Sequence, residues 1–320
     1  MVLTGPNGVA DAVSNTDRLD VSVVIVNYKV RDLLRDCLRS LEHALARVRG
    51  EVWVVDNASG DGSVEMVQSE FPWVRLIANE QNRGYGAANN QAIRQAAGRF
   101  ILVLNPDTKL PPGAIVDTIA EMEEHPDIGA LGPKLVLADG SLDKACRRSF
   151  PSPEVAFYRL FGLAKLFPNN PRFARYNLLN VDEDTAIDVD SVVGAFMLVR
   201  REVVERVGMF DEAFRLYGED LDWAYRIKQA GWRIRYHPDV VVLHYKRQST
   251  RQRSVYSIRA FYEAMHIFYD KHYARQHSSP FNALVHVGIS AYEAAVLLRN
   301  RLKPRVRARD VRTDQAGTAS

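Results

Sequence analysis

Apolar positions along the first third of the chain switch between two spacings. Residues 21–28, Val-Ser-Val-Val-Ile-Val-Asn-Tyr, form a β-branched run that predicts a short buried strand. From residue 32 to 47 the apolar positions Leu33, Leu34, Cys37, Leu38, Leu41 and Leu45 follow a 3.6-residue period, which predicts a helix with one buried face. The pattern then repeats. Strands are expected at 51–55, 74–78 and 100–104, with a helix at 64–70, which Ser63 can cap, and a small-residue helix at 84–97 ended by Gly98. Such alternation predicts a parallel, doubly wound sheet. Ligands bind such sheets outside the carboxyl ends of the strands. Asn27, Asp56 and Asp107 all fall there.

Beyond this region the pattern predicts a helix at 113–125, a strand at 129–136, strand character over 189–199, a helix at 202–207, a helix at 223–230 closed by Gly231, and two short strands at 233–236 and 240–244. Residues 150–180 mix aromatic and basic side chains with prolines. A lid, an acceptor-binding segment, a membrane-facing loop and an irregular surface excursion all fit that composition. Residues 257–273 place Ile258, Phe261, Tyr262, Met265, Phe268 and Tyr269 on one face of an amphipathic helix. Residues 281–298 are apolar but interrupted by His286 and Glu293, and barely reach spanning length. Seven Lys/Arg against one acid follow in 299–312, so the expectation is an interfacial helix on an anionic membrane surface. The alternative is a core-packing helix with a solvated tail. The domain reading is a flexible leader at 1–20, a catalytic domain at 21–250, amphipathic helices at 251–303 and a basic, disordered tail at 304–320.

Composition narrows the class only modestly. With 47% apolar and 25% charged residues the chain is an ordinary globular protein, and a net charge of +3 makes no general case for a nucleic-acid partner. Two cysteines, Cys37 and Cys146, are too few for a disulfide framework and suggest a reducing compartment. No signal-peptide core is seen in the first twenty residues, so a cytoplasmic protein, peripheral at the inner face of the membrane, is expected.

The chemistry concentrates at 217–223, Tyr-Gly-Glu-Asp-Leu-Asp-Trp, where three carboxylates fall within four residues at a loop-to-helix junction. A helix start favours ionised carboxylates, and an ionised carboxylate at a pocket mouth can act as a general base. Acidic helix starts are also common as plain caps. Asn105-Pro106-Asp107 at a strand end puts two oxygen side chains on one side of an extended chain, which suits a hard divalent cation; an Asn-Pro-Asp turn is the plainer alternative. His244, before Lys246 and Arg247, can complete a metal shell or contact a phosphate. The loop at 56–63 suits a base and ribose, with Asp61-Gly62-Ser63 as an Asx-turn. The glycine-bearing helix start at 82–90 permits close approach of a ligand. Neither a Walker loop nor a Gly-x-Gly-x-x-Gly fingerprint is present, which disfavours dinucleotide chemistry.

Taken in order, residues 21–28, 56–63, 82–90, 105–108, 194–195, 219–220 and His244 resemble the family 2 glycosyltransferases of the GT-A fold, with the look of the bacterial rhamnosyltransferase-like branch. The resemblance covers roughly residues 21–249. It implies an α/β fold with a mixed, mostly parallel sheet flanked by helices, here with a C-terminal helical extension. It also implies inverting transfer from a nucleotide diphosphate sugar, assisted by Mg²⁺ or Mn²⁺. Carried over, Val26, Asn27, Tyr28 and Asp56 would hold the nucleoside, with Arg83, Gly84, Asn105, Gly194 and Ala195 along the donor. Asp107 and His244 would hold the metal, although Asn105 stands where the family's metal motif begins with Asp. Asp220 would be the catalytic base, Glu219 would orient the acceptor, and Asp222 and Trp223 are weaker acceptor candidates. The donor suggested is deoxythymidine-diphosphate rhamnose, with a UDP- or GDP-hexose as the alternative. The acceptor is a saccharide, expected to be polyprenyl-linked, in cell-surface polysaccharide synthesis. A homodimer is left open. A nucleotide-sugar-binding protein without catalysis would not need both the Glu219-Asp220 pair and Asp107. Nucleotidyl transfer lacks its glycine-rich basic first loop, and a processive synthase lacks its several spans and its Gln-x-x-Arg-Trp motif.

Overall fold

A computed structural model describes residues 19–160, 162–167, 169–246 and 254–302. Most of the expected leader, the basic tail, Phe161 and Arg247 lie outside the described residues.

The alternating first third builds the parallel half of the sheet. β1 (Val21–Asn27) is buried at every position, as its continuous apolar run requires of a strand covered on both faces. It pairs in parallel with β2 (Gly50–Asp56) and β4 (Phe100–Leu104), and β2 pairs in parallel with β3 (Arg75–Ala78). α1 (Arg31–Ala44) presses Leu34, Cys37, Leu38 and Leu41 into the core, all fully buried, and each leucine contributes about 1.5–3 kcal/mol of transfer free energy. α2 (Ser63–Glu70) and α3 (Tyr85–Ile93) complete the crossovers. α3 ends four residues before the expected Ala97; the amides of 94–96 still close turns on Asn90 and Ala92, and then Ala97 N donates to Glu51 Oε1 and Gly98 N to Ser22 Oγ. A Cβ on Gly98 would sit 2.4 Å from Ser22 N, so only glycine fits this crossing.

The second half turns the sheet mixed. After β5 (Thr108–Lys109), α4 (Ala114–Glu124) and β6 (Ile128–Val136) come α5 (Pro153–Leu160), α6 (Leu163–Leu166) and β7 (Ile187–Asp188). β8 (Phe196–Arg200) then enters antiparallel between β4 and β6. α7 (Arg201–Val207), α8 (Glu219–Gln229) and β9 (Arg233–His244) follow. The strand order is β3-β2-β1-β4-β8-β6-β9-β5, with β7 paired to β9.

Three expectations change here. The run at 189–199 is not one strand: Ser191 bridges to Arg148, and Gly194 turns beneath the Tyr85 hydroxyl before β8 begins. The two strands expected at 233–236 and 240–244 are one, because Pro238 falls at a register shift against β6. α8 begins at Glu219 instead of Trp223, since Gly218 takes the left-handed conformation (φ 85°) and starts the helix one residue later.

α9 (Val255–His272) is the amphipathic helix expected, and buries Ile258, Tyr262 and Phe268. α10 (Ser279–Leu302) runs for 24 residues. It meets α9 through Tyr269 Oη donating to Asn282 Oδ1 at 2.6 Å and through stacked His266 and His286. Its most apolar stretch has a mean hydropathy of 1.4, is long enough to cross a membrane, and has none of its residues buried. Among the described residues α10 therefore packs against α9 at one side and is not a core helix.

Candidate active site

Three groups of side chains meet at the carboxyl ends of the strands. The first is built from the ends of β1 and β2. Asn27 Nδ2 donates to Asp56 Oδ1 at 2.8 Å and to Ser59 Oγ at 3.1 Å, and Ser59 N donates to Asp56 Oδ2 at 3.0 Å. Asn57 extends the platform, accepting from Arg83 N at 2.9 Å and donating to Asn82 Oδ1 at 3.0 Å. Gly84 has φ +84°, and a Cβ there would lie 2.9 Å from Arg215 O, so the chain enters α3 at a place open only to glycine. Tyr28 and the Arg83 side chain remain exposed beside this platform.

The second group surrounds Asp107. β5 lies antiparallel to the end of β9, setting Thr108 opposite His244, and Tyr245 N donates to Asp107 O at 2.8 Å. His244 Nε2 lies 3.3 Å from Asp107 Oδ1, while Nδ1 lies 2.9 Å from Asp143 Oδ2. Asp143 is almost fully buried and also accepts from Lys246 Nζ at 2.8 Å. Burial opposes a charge on the imidazole, but the Asp107 and Asp143 carboxylates outweigh it and raise His244 to about 9. A cavity of about 680 Å³, bordered by Asp143, Lys144, Arg147 and Lys246, opens beside this cluster.

The third group is the acidic pair in the first turn of α8. Asp220 Oδ2 accepts from Arg148 Nη2 at 2.7 Å and from Gly194 N at 3.2 Å, and Oδ1 accepts from Leu221 N at 2.8 Å. Glu219 is equally buried, with Oε2 unpartnered among the described residues. Burial first, and then the neighbouring Asp220 charge, push the Glu219 carboxyl well above the usual range. Two carboxylates are thus crowded together, and the Arg148 guanidinium pairs with Asp220.

Tyr85 ties the groups together. Its hydroxyl lies 3.2 Å from Asn105 Oδ1 and 3.1 Å from Gly194 O, and Asn105 N donates to Ala195 O at 3.0 Å. Burial, followed by the charges of Glu219, Asp220 and Asp107, keeps that hydroxyl protonated.

A polar platform at the ends of β1 and β2, an Asp–His pair and a buried acidic pair on a mixed sheet invite comparison with known proteins. The profile of glycosyl transferase family 2 matches residues 22–208. The chain belongs to glycosyl transferase family 2. Within it, the N-acetylglucosaminyl-diphospho-decaprenol L-rhamnosyltransferase of Mycobacterium tuberculosis is 32% identical over 262 residues, covering 78% of this chain and 84% of that one. Solved structures show the same GT-A fold. GalNAc-T7 with UDP, GalNAc and Mn²⁺ superposes at TM-score 0.56 and 16% identity, covering 78% of this chain and 48% of that one. The mannosyltransferase PcManGT of Pyrobaculum calidifontis, with GDP-Man and Mn²⁺, superposes at 0.53 and 20% identity, covering 91% of this chain and 77% of that one.

Within this family 2 chain the sequence-expected residues divide by the chemistry of their side chains. Asn27, Tyr28, Asp56, Arg83, Gly84, Asn105, Asp107, Gly194, Glu219, Asp220 and His244 belong to, or border, the three groups around Tyr85. Val26 and Ala195 are core residues, 7% and 1% exposed, so only their backbone can serve a ligand. Asp222 and Trp223 are withdrawn as acceptor candidates. Asp222 is fully buried, with Oδ2 accepting from Arg226 Nε at 2.8 Å and Oδ1 lying 2.8 Å from both Lys271 Nζ and His272 Nε2. Burial works against its charge, yet these partners hold it at about 2. Trp223, also fully buried, donates its indole N–H to Gly208 O at 2.8 Å. Both residues lock α8 in place. Sequence reading missed Tyr85, Asp143 and Arg148. Only Tyr85 carried a signal, as the aromatic residue within the otherwise small and polar helix start at 82–90.

Proposed function

We propose that this family 2 glycosyltransferase is an inverting, divalent-cation-assisted enzyme. In this reading it moves L-rhamnose from deoxythymidine-diphosphate rhamnose to a saccharide on a polyprenyl diphosphate, in cell-wall polysaccharide synthesis. The observation that carries the transfer reading is a buried carboxylate, Asp220, connected through Gly194 and the Tyr85 hydroxyl to Asn105, two residues before the Asp107 that meets His244. The named activity of the mycobacterial relative supports the sugar and the acceptor class. Asp220 would take the acceptor hydroxyl proton as the acceptor oxygen bonds the anomeric carbon. The bond from that carbon to the diphosphate breaks on the opposite face, its electron pair leaving with the diphosphate.

The residues fit a cation. A ligating histidine characteristically donates its second N–H to a carboxylate, and Asp143 is so placed at Nδ1, leaving Nε2 directed at Asp107. Asp107 and His244 would hold the ion, which when bound offsets charge building on the leaving diphosphate. The test is nucleotide release from a panel of dTDP-rhamnose, UDP-hexoses and GDP-hexoses, with Mn²⁺, Mg²⁺ or chelator and a polyprenyl-linked acceptor. Release from dTDP-rhamnose that chelator removes is expected. Release from a UDP- or GDP-hexose alone would transfer the proposal to that donor.

We infer also that α10 brings the enzyme to its lipid-linked substrate by lying on an anionic membrane surface. Leu284, Val287 and Leu298 are 66%, 65% and 59% exposed, and Arg299 and Arg301 end the helix. Replacing these three apolar residues together by serine is expected to weaken flotation with anionic vesicles at least about tenfold, since each loses roughly 1 kcal/mol or more of burial in lipid. Unchanged flotation would remove α10 as the anchor.

A further inference from the structure

Asp220 has four lone-pair positions on its carboxylate, and the structure fills three of them. Arg148 and Gly194 N occupy Oδ2, and Leu221 N occupies one position on Oδ1. Arg148 is itself held. It is 9% exposed, its Nη2 also reaches Val192 O at 3.1 Å and Ser191 Oγ at 3.3 Å, and the Tyr176 hydroxyl interacts with the same guanidinium. Ser149 N donates to Tyr176 O at 2.9 Å, so the segment following β6 is fastened to this point.

We propose that Arg148 is the positioning residue of the transfer step, turning Asp220 so that the remaining lone pair of Oδ1 receives the acceptor proton. This rests on the reading of Asp220 as the base. In the step the acceptor O–H bond breaks, its proton goes to Oδ1, and the acceptor oxygen forms the new bond to the anomeric carbon. The diphosphate departs with the electron pair of the broken bond. Arg148 touches neither substrate and transfers no proton. It sets a cation against Asp220 Oδ2 and fixes which oxygen faces the acceptor. The charged and titratable groups facing Asp220 are Arg148, Glu219 in its own helix and Tyr85 from α3; Tyr176 faces Arg148, and Asp107 reaches the cluster through Tyr85.

The test uses full-length Arg148→Gln, Arg148→Lys and Asp220→Asn, with kcat and KM for donor and acceptor followed across the acid and neutral pH range. Arg148→Gln should lose about a hundredfold in kcat with donor KM unchanged. Its acid limb should move up by about one pH unit or more, because the lost cation no longer favours the ionised carboxylate beside Glu219. Arg148→Lys keeps the charge but not the planar fork, so it should restore the acid limb more fully than kcat. A purely structural role would lower activity only in proportion to the folded fraction and leave the acid limb in place. That result, with Asp220→Asn inactive, overturns the proposal while leaving Asp220 as the base. An active Asp220→Asn overturns the base assignment instead. Should neither Arg148 variant fold, Tyr176→Phe is measured: a smaller shift of the limb in the same direction supports the proposal, and no shift overturns it.

Discussion

Asp220→Asn should lower turnover at least about a hundredfold and leave donor affinity unchanged. The amide can still accept from Leu221 N and lie near Arg148, so the first turn of α8 should keep its geometry. What it cannot do is accept a proton. Glu219 is a poor substitute, because its burial still opposes ionisation. In the variant the Asp220 charge is gone, and Arg148 has no ionised partner unless Glu219 gives up its proton. Glu219 should therefore ionise more readily in Asp220→Asn than in the native chain. Two measurements separate the effects. Calorimetry with the nucleotide diphosphate and Mn²⁺ should give native affinity, and single-turnover transfer should be lost. Transfer at a native rate would show that another group takes the proton, and would remove Asp220 from the mechanism.

The residues of this prediction were legible in the sequence, but their environment was not. Buried strands such as β1 announce themselves through unbroken β-branched runs, and α1 through its 3.6-residue period, because burial dictates both patterns locally. The ends of those strands then locate Asn27, Asp56 and Asp107 without any tertiary information. By contrast, Asp220 meets Arg148 across 72 positions and His244 meets Asp143 across 101. No local pattern encodes such pairings. Asp222 shows the converse error. Its place in an acidic run resembles a surface turn, yet His272, fifty positions later, comes from α9 to enclose it. Periodicity sees which face of an element is covered, but not which charged group will arrive to cover it. The same limit explains α10. Its apolar composition was plain, but only the packed structure shows that the rest of the described chain leaves those side chains exposed.

Asp107→Asn should abolish the metal-dependent part of donor binding, the reverse of the Asp220 result. Asn105 already stands at the first position of the motif as a neutral residue, and its Oδ1 is engaged by the Tyr85 hydroxyl. In the proposed reading Asp107 is consequently the anionic ligand on that strand end, with His244 Nε2 at 3.3 Å as its partner. Replacing the carboxylate by an amide removes the charge that a hard cation requires, while Tyr245 N can still donate to the backbone carbonyl of residue 107. The fold should therefore hold, and metal-free nucleotide binding through the Asn27–Asp56 platform should survive. Asp143→Asn offers a graded companion. It leaves both ligands in place but weakens the orienting acceptor at His244 Nδ1, for which a loss of about 10–100-fold in metal affinity is expected. Titrating Mn²⁺ by calorimetry at saturating nucleotide diphosphate reads both variants. If Asp107→Asn binds Mn²⁺ and donor like the native chain, the cation is held elsewhere and the Asp107–His244 assignment fails. If it loses the metal response but keeps nucleotide, the charge that opposes the leaving diphosphate lies at this strand end, across Tyr85 from the base.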